Sequence, residues 1–343
     1  MKKMLAMLLA LVMVLSLAAC ASSQPAATDA AASTDTTETT TDTAAETPAE
    51  SGKTYTVGVC QLVQHEALDA ATQGFVDALT EELGDAVTVD VQNASGDSVN
   101  CGTIVNGFVS KGVDLIMANA TPALTAAVSA TADIPILGTS ITAYGVALDL
   151  DDFDGTVGGN VSGTSDLADL QAQAQMILDW FPETKTVGLL FCSAEPNSRY
   201  QIDEVRKALE SAGVTCEEFA FTDSNDVSSV TQKAADSSDV IYIPTDNTAA
   251  ANTEAIANVL IPAGVPAICG EEGICRGCGV ATLSISYYDL GVTTGKMAAK
   301  ILKGEADIST MPVEYTDATP KYNASVCEQL GITPLDGYEA IEG

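Results

Sequence analysis

Positive charge is scarce in this chain: 14 Lys and Arg stand against 47 Asp and Glu over 343 residues, a formal net charge of −33. Such a surface repels phosphate backbones and anionic headgroups, which excludes nucleic-acid binding and charge-driven adsorption to a membrane. Histidine occurs once, as His65. A single imidazole argues against Ser-His-Asp hydrolysis, and the sequence has no Gly-x-Ser-x-Gly elbow. The triplet Gly52-Lys53-Thr54 lacks the upstream glycine of a phosphate loop. With so many acids, chance pairs are expected, so they do not by themselves define a glycosidase. Nine cysteines are too few for a disulfide scaffold at this length. What is plentiful is apolar: 46% of the residues are hydrophobic, which excludes a wholly disordered chain, and the length suits about two domains.

The first residues carry their own chemistry. Lys2 and Lys3 precede an apolar run from Met4 to Leu17, too short for a hydrocarbon core that needs about 20 residues, yet suited to the apolar stretch of a secretion signal. The run ends in Leu17-Ala18-Ala19-Cys20, which resembles the lipobox of bacterial lipoproteins. That resemblance implies a leader over 1–19, acylation at Cys20, and an extracytoplasmic chain anchored by lipid to the cell membrane, two acyl chains being enough for stable anchoring. Residues 21–53 are nearly all Ala, Thr, Ser, Asp, Glu and Pro. Nothing there offsets the entropy of ordering, so 20–53 reads as the acylated cysteine and a disordered tether about 30 Å in reach.

From residue 54 short β-branched runs alternate with helical periodicity. Strands are expected near 55–60, 87–92, 113–118, 134–138, 186–192, 240–244, 265–269 and 280–285. Leu68, Ala71, Phe75, Leu79 and Leu83 recur at helical spacing, as do Leu167, Leu170, Ala174, Ile177 and Leu178. Alternating β and α elements imply parallel sheets covered on both faces. The pattern appears twice, four strands before residue 140 and four after 185, so the expected fold is α/β with two doubly wound parallel-sheet lobes and a ligand cleft between them. Ligands in such sheets bind beyond the carboxyl ends of the strands. The residues following the expected strands are polar there, although Ser, Thr, Asp and Asn are also the preferred helix N-caps.

The stretches VGVCQLVQHEALDAATQGFVDAL, VQNASGD, VDLIMANATPA, GGNVSGTSD, DVIYIPTDNT and ISYYDLGVTTGKMAAKILKG resemble the tryptophan/tyrosine-type substrate-binding lipoproteins of ABC importers. The resemblance covers residues 55 to about 315. It implies a type I periplasmic-binding-protein fold with three crossovers, an N-terminal lobe over 54–163 and 286–312, and a C-terminal lobe over 164–285 and 313–343. It also implies a monomer that captures a small ligand by lobe closure and delivers it to permease and ATPase subunits, with no catalysis and no cofactor.

The rim residues taken as ligand contacts are Gln61, His65, Asn119, Thr121, Thr139, Ser140, Thr164, Ser165, Glu195, Asn197, Ser198, Asp246, Asn247 and Glu272. Among them the hydroxyls Thr121, Ser140, Thr164 and Ser165, with helix N-termini, would receive a ligand carboxylate. Asp246 and Glu272, and after them Glu66 and Glu195, would pair with an ammonium. That layout, together with the resemblance, points to an amino acid, and Tyr144, Tyr200 and Tyr287 are sources of an aromatic wall for a tryptophan or tyrosine side chain. Two other readings stand beside it: a binding lipoprotein for a sugar or nucleoside, and a ligand-sensing receptor ectodomain. For His65 both a ligand contact and an exposed first-turn position stand. Cys275 and Cys278, placed in a Gly-rich loop, are open to a local disulfide or free thiols, a disulfide with another partner, or metal or redox chemistry; no second pair completes a zinc site. The other mature thiols read as small buried hydrophobes. The acidic run Asp149 to Asp154 does not match an EF-hand and reads as a solvated loop. Gly158, Gly159 and Gly163 are expected to act as the hinge.

Overall fold

A computed structural model describes residues 53–342. The leader, Cys20 and all but the last residue of the expected tether lie outside these residues. The first sheet is built from β1 (Tyr55–Gln61), β2 (Val87–Asn93), β3 (Leu115–Asn119), β4 (Ile136–Ile141) and β5 (Val161–Ser165), connected through α1 (Glu66–Leu83), α2 (Ser98–Lys111), α3 (Thr121–Ala130) and the short α4 (Tyr144–Ala147). The chain then crosses through α5 (Leu170–Trp180) to a second sheet of β6 (Thr186–Cys192), β7 (Thr215–Phe221), β8 (Val240–Ile243), β9 (Ala267–Cys269) and β10 (Ala281–Ser284). Its helices are α6 (Pro196–Ser211), α7 (Val227–Ser237), α8 (Asn247–Ala250), α9 (Thr253–Ala263) and α10 (Glu272–Cys278). From there α11 (Tyr287–Lys303) returns to the first sheet, β11 (Glu314–Tyr315) joins its edge, and β12 (Thr319–Tyr322), α12 (Ala324–Leu330) and β13 (Glu339–Ala340) complete the second.

The strand orders are β11-β5-β4-β3-β1-β2 and β13-β12-β10-β9-β8-β6-β7, parallel throughout except where β12 pairs with β10. Thus the last crossover follows Tyr315, which pairs with Ser165, rather than falling at 312/313. Five strands escaped the sequence reading: β11, β12 and β13, which are only two to four residues long, and β5 and β7. In β5 the sequence VSGTS offers one apolar residue, and in the edge strand β7, TCEEFAF, most side chains face solvent.

Each sheet is covered on both faces, as parallel sheets require. On one face of the first sheet Phe75 and Leu79 of α1 meet Met297, Ala298 and Leu302 of α11 over Val57, Val59, Leu115, Met117 and Leu137. On the other, Val105 and Phe108 of α2 and Leu124 and Ala127 of α3 pack on Cys60, Ile116 and Ala118. Local signals set the helix ends: Asp97 caps α2 by accepting from Val99 N, and Gly112 ends it in the left-handed region at φ 66°.

The α1–α11 seam is unusually close. A Cβ on Gly291 would stand 2.0 Å from the Ala71 carbonyl oxygen, and one on Gly74 2.1 Å from that of Tyr288. The two backbones touch through glycines, so no side chain separates the helix that begins the first lobe from the one that returns to complete it.

Candidate functional site

The carboxyl ends of both sheets face one another across a cleft. Between them lies a small, tightly closed cavity, walled by His65, Leu68, Ser140, Thr142, Asp166 and Tyr287 on the side of the first sheet and by Asn197, Thr245, Asp246, Asn247, Ala250 and Glu271 on the other. Outward of Asn247 the cleft opens into a groove between residues 95–98 and 222–225. The two sides touch: His65 Nε2 lies 3.3 Å from Asn247 Oδ1, and Arg276 on α10 is ion-paired with Glu66 at the start of α1. The lobes therefore stand closed.

No lysine or arginine is among the residues that wall the cavity, whereas three carboxyl groups are. Two of these are occupied within their own lobe. Asp246 takes Cys192 N at 2.6 Å on one oxygen and Ala249 N at 2.8 Å on the other, which caps α8 and ties it to β6. Glu271 caps α10 by accepting from Gly273 N and Ile274 N. Just behind the wall, Glu195 is saturated by the backbone and side chains of Asn247 and Thr248. Asp166 differs. It is 3% exposed, its Oδ2 accepts from the Tyr287 hydroxyl at 2.8 Å, and its Oδ1 has no partner. Ser140 Oγ and Asn197 Oδ1, on the same cavity, are also buried without partners. Ser140 holds φ at +56°, a left-handed conformation that costs a non-glycine residue energy and turns its side chain out of the strand's alternation, beside a register shift between Gly138 and Ile141. Three unsatisfied polar atoms in one enclosed space, one of them on a strained residue, form a site that is polar at one end and lined by Leu68, Ala250 and the Tyr287 ring elsewhere.

Of the fourteen rim residues expected to meet a ligand, His65, Ser140, Asn197, Asp246 and Asn247 wall the cavity. The rest are engaged elsewhere. Gln61 donates to Asp69 and Val63, and Asn119 donates to Leu68 O and Thr72, so both fasten α1 to the sheet. Thr121 begins α3 as a buried first-turn residue. Thr139, Thr164 and Thr294 form a buried hydroxyl chain at 3.2 and 2.9 Å that joins β4, β5 and α11. Ser165 donates to Thr142 O, and Ser198 is fully buried on α6. Glu195 supports Asn247 from behind, and Glu272 faces away, held by Arg276, Lys321 and Ser284. Tyr144 is buried in the first lobe, its hydroxyl on Thr164 O, and Tyr200 packs on the second-lobe core. Only Tyr287 of the three tyrosines reaches the cavity. Arg199 is drawn to Glu218 and Asp203 on the outer side of α6.

Asp166, Thr142, Thr245 and Glu271 were missed. The signal for Asp166 was its place directly after β5, in GTSD; for Glu271 it was its place one residue before Glu272, at the N-cap that turns inward. Cys275 and Cys278 lie in helix α10, not in a loop, and both are buried free thiols. Gly158 and Gly159 have φ of 83° and 60°, while Gly163 serves a close approach within the sheet: a Cβ there would fall 2.0 Å from Gly138 O. Asp149, Asp151, Asp152 and Asp154 are exposed in the connection before β5, and among the described residues no group of three or more His, Cys, Asp or Glu is placed to hold a metal ion.

Burial pushes the Glu271 carboxyl up to about 7, against the pull of its two backbone N–H partners, and burial with the adjacent Glu195 pushes Asp246 up. Both groups bind their proton more tightly folded than unfolded. Their contribution is therefore complete below the ordinary carboxyl range near pH 4 and is lost as pH rises through their raised values. The burial that raises them is the closed cleft itself, since both line the cavity between the lobes, so the effect belongs to the closed state. His65 runs the other way, since desolvation holds its imidazole below the usual value, but it is one group against two. With the cleft held closed by saturating ligand, urea midpoints are expected to fall between pH 5 and pH 8, with a flatter profile in Glu271→Gln.

Two facing α/β lobes closed on a small polar cavity define a cleft-type solute-binding protein. The chain belongs to the family of ABC transporter substrate binding proteins, whose pattern matches residues 56–337. It is 32% identical over 276 residues to a tyrosine-binding protein of Clostridioides difficile (strain R20291), covering 79% of each chain. Among solved structures it resembles the ABC domain from Streptococcus pneumonia in complex with L-Trp, at 33% identity and a TM-score of 0.80 over 84% of this chain and 100% of that one. It also resembles the ligand-free, open structure of a substrate-binding protein with adhesive properties from Clostridium difficile, at 33% identity and a TM-score of 0.64 over 84% of this chain and 99% of that one. Members of this family bind and do not catalyse. They are extracytoplasmic, and among the described residues no helix is long and apolar enough to cross a membrane.

Proposed function

We propose that this protein captures a free amino acid, of aromatic side chain, in the closed cleft and hands it to the permease of an ABC importer, working as a lipoprotein held at the membrane through Cys20. The observation that carries the amino-acid reading is the unpartnered Oδ1 of Asp166, buried in a cavity that no lysine or arginine lines. An ammonium group supplies what this oxygen lacks, and Asn197 Oδ1 offers it a second acceptor. The ligand carboxylate belongs at the start of α1, where His65 provides no side-chain cap, with the unpartnered Ser140 hydroxyl lining the same cavity. The aromatic preference rests on the relatives named for tyrosine and bound to L-Trp, and on the apolar wall of Leu68, Ala250 and Tyr287. Sugar-binding clefts use stacking rings on both walls, whereas this cavity has one ring, on one wall.

Closure as the capture step is supported by the two comparisons at equal identity: the fit is closer to the L-Trp complex than to the open, ligand-free form. A ligand that touches both lobes only when they are closed shifts the population towards closure. The test is a thermal-shift panel of the twenty amino acids, common sugars and nucleosides against the purified chain. A ligand at about 100 times its Kd stabilises by ~2.7 kcal/mol. Shifts with tryptophan, tyrosine or phenylalanine are expected; shifts with sugars or nucleosides alone would overturn the reading.

A further inference from the structure

We infer that Asp166 ties lobe closure to ligand charge: the empty lobes stay apart because closing them buries this carboxylate unpaired, and a ligand ammonium removes that obstacle. The inference deepens the amino-acid reading and rests on it for the ligand, but not for the behaviour of the empty protein.

Every group packed around Asp166 is neutral or acidic. Tyr287 from α11 and Thr142 from the end of β4 present hydroxyls, Tyr144 lies behind on α4, and Glu271 faces it from α10. At His65, across the cavity at the N-cap of α1, desolvation pushes the imidazole below its ordinary range and so disfavours its cation. The other carboxylates of the cleft are already satisfied by backbone N–H groups of the second lobe, so Asp166 alone meets closure with a free oxygen. Burial pushes the Asp166 carboxyl above its ordinary range, so closing the empty cleft makes it either lose its hydration as an anion or take up a proton, and both oppose closure near neutral pH. Against this, the cross-lobe contacts return little. The Arg276–Glu66 pair has partners 36% and 53% exposed, in the range where ion pairs contribute weakly, and the His65–Asn247 contact is long at 3.3 Å. Since half of the cavity wall belongs to each lobe, opening returns Asp166 to solvent. The discriminating feature of the ligand is therefore its cationic nitrogen: primary ammonium compounds close the cleft, and their deaminated analogues do not.

The experiment is hydrogen–deuterium exchange on the full chain, read at the backbone amides of residues 95–98 and 222–225, which face each other across the outer groove and touch no part of the cavity. L-Tyrosine is expected to slow exchange there about fivefold or more in the wild type, and 3-(4-hydroxyphenyl)propionate at a hundredfold higher concentration is expected to leave it unchanged. Without any ligand, Asp166→Asn should already show slowed exchange, and it should respond to the propionate. The inference is overturned if ligand-free Asp166→Asn exchanges like the ligand-free wild type, or if the propionate closes the wild type as tyrosine does. Asp166→Ser serves the same arm if the asparagine variant lacks a cooperative melt. Should no amino acid slow exchange in the wild type, the amino-acid reading falls, while the ligand-free comparison still decides whether Asp166 holds the lobes apart.

Discussion

Replacing Asp166 by Ala is expected to weaken capture of an amino acid by about 100-fold or more while leaving the fold intact. The carboxylate is buried, one oxygen is held by Tyr287, and the other is aimed into the cavity without a partner. Truncating one side of a desolvated, hydrogen-bonded charge pair typically costs 2–5 kcal/mol, because the ammonium left behind must then be buried unpaired. Removal of a surface carboxylate such as Asp154 gives no such loss. The stability of the ligand-free protein should change little or rise, since the buried charge is a cost in the closed state. Isothermal titration of wild type and variant with L-tryptophan and L-tyrosine measures the effect; equal affinities would remove Asp166 from the binding site and with it the main support for an amino-acid ligand.

The second large effect is on stability and acts at the α1–α11 seam, one helical turn behind Leu68 and Tyr287. Gly291→Ala should destabilise the protein by about 3 kcal/mol, even though alanine is the better helix former by ~1 kcal/mol. The added methyl group would stand 2.0 Å from the Ala71 carbonyl oxygen, which is backbone and has no rotamer to change. Relief requires α11 to lift from α1, opening the layer of Phe75, Leu79, Met297 and Leu302, and overpacking of this kind costs 1–3 kcal/mol or more. Gly102→Ala on α2, where a Cβ meets nothing within 4 Å, is the matched control and should be neutral or stabilising. Urea unfolding of the three proteins distinguishes them, and a Gly291 variant as stable as the control would show that the seam gives way easily.

The sequence revealed the fold more readily than the site, and particular residues show why. Strands such as VGVCQ and LIMAN are continuous apolar runs because both sheet faces are covered, and that signal survives without tertiary information. The site depends on which way each rim residue turns. Gln61 and Asn119 end their strands at the expected rim, yet their amides are used to anchor α1. Thr139 and Ser140 are neighbours, but the strained φ of Ser140 sends one into a buried hydroxyl chain and the other into the cavity. Glu271 and Glu272 are adjacent, and the phase of α10 alone decides that the first caps inward while the second pairs with Arg276 and Lys321 outside. Asp166 follows a strand whose polar, glycine-bearing sequence hid it, so the rule that points beyond strand ends had nothing to point from. Helix phase, strand twist and one left-handed residue are properties of the assembled chain and leave no local mark.

The return of α11 also sets the order in which the polypeptide can become a folded body. The sheet face formed by Val57, Leu115, Met117 and Leu137 receives its cover of Met297, Ala298 and Leu302 only after β6 to β10 of the second lobe have emerged. At synthesis rates of ~5 to 20 residues per second, that face waits roughly 8 to 30 s for its partner. During this interval a sheet with one face only half covered, by α1 alone, offers both an apolar surface and unpaired strand edges, the combination most prone to association. The chain thus gains from being held unfolded until its last third has arrived, which is the condition a secreted polypeptide meets when it is threaded through a membrane before it folds.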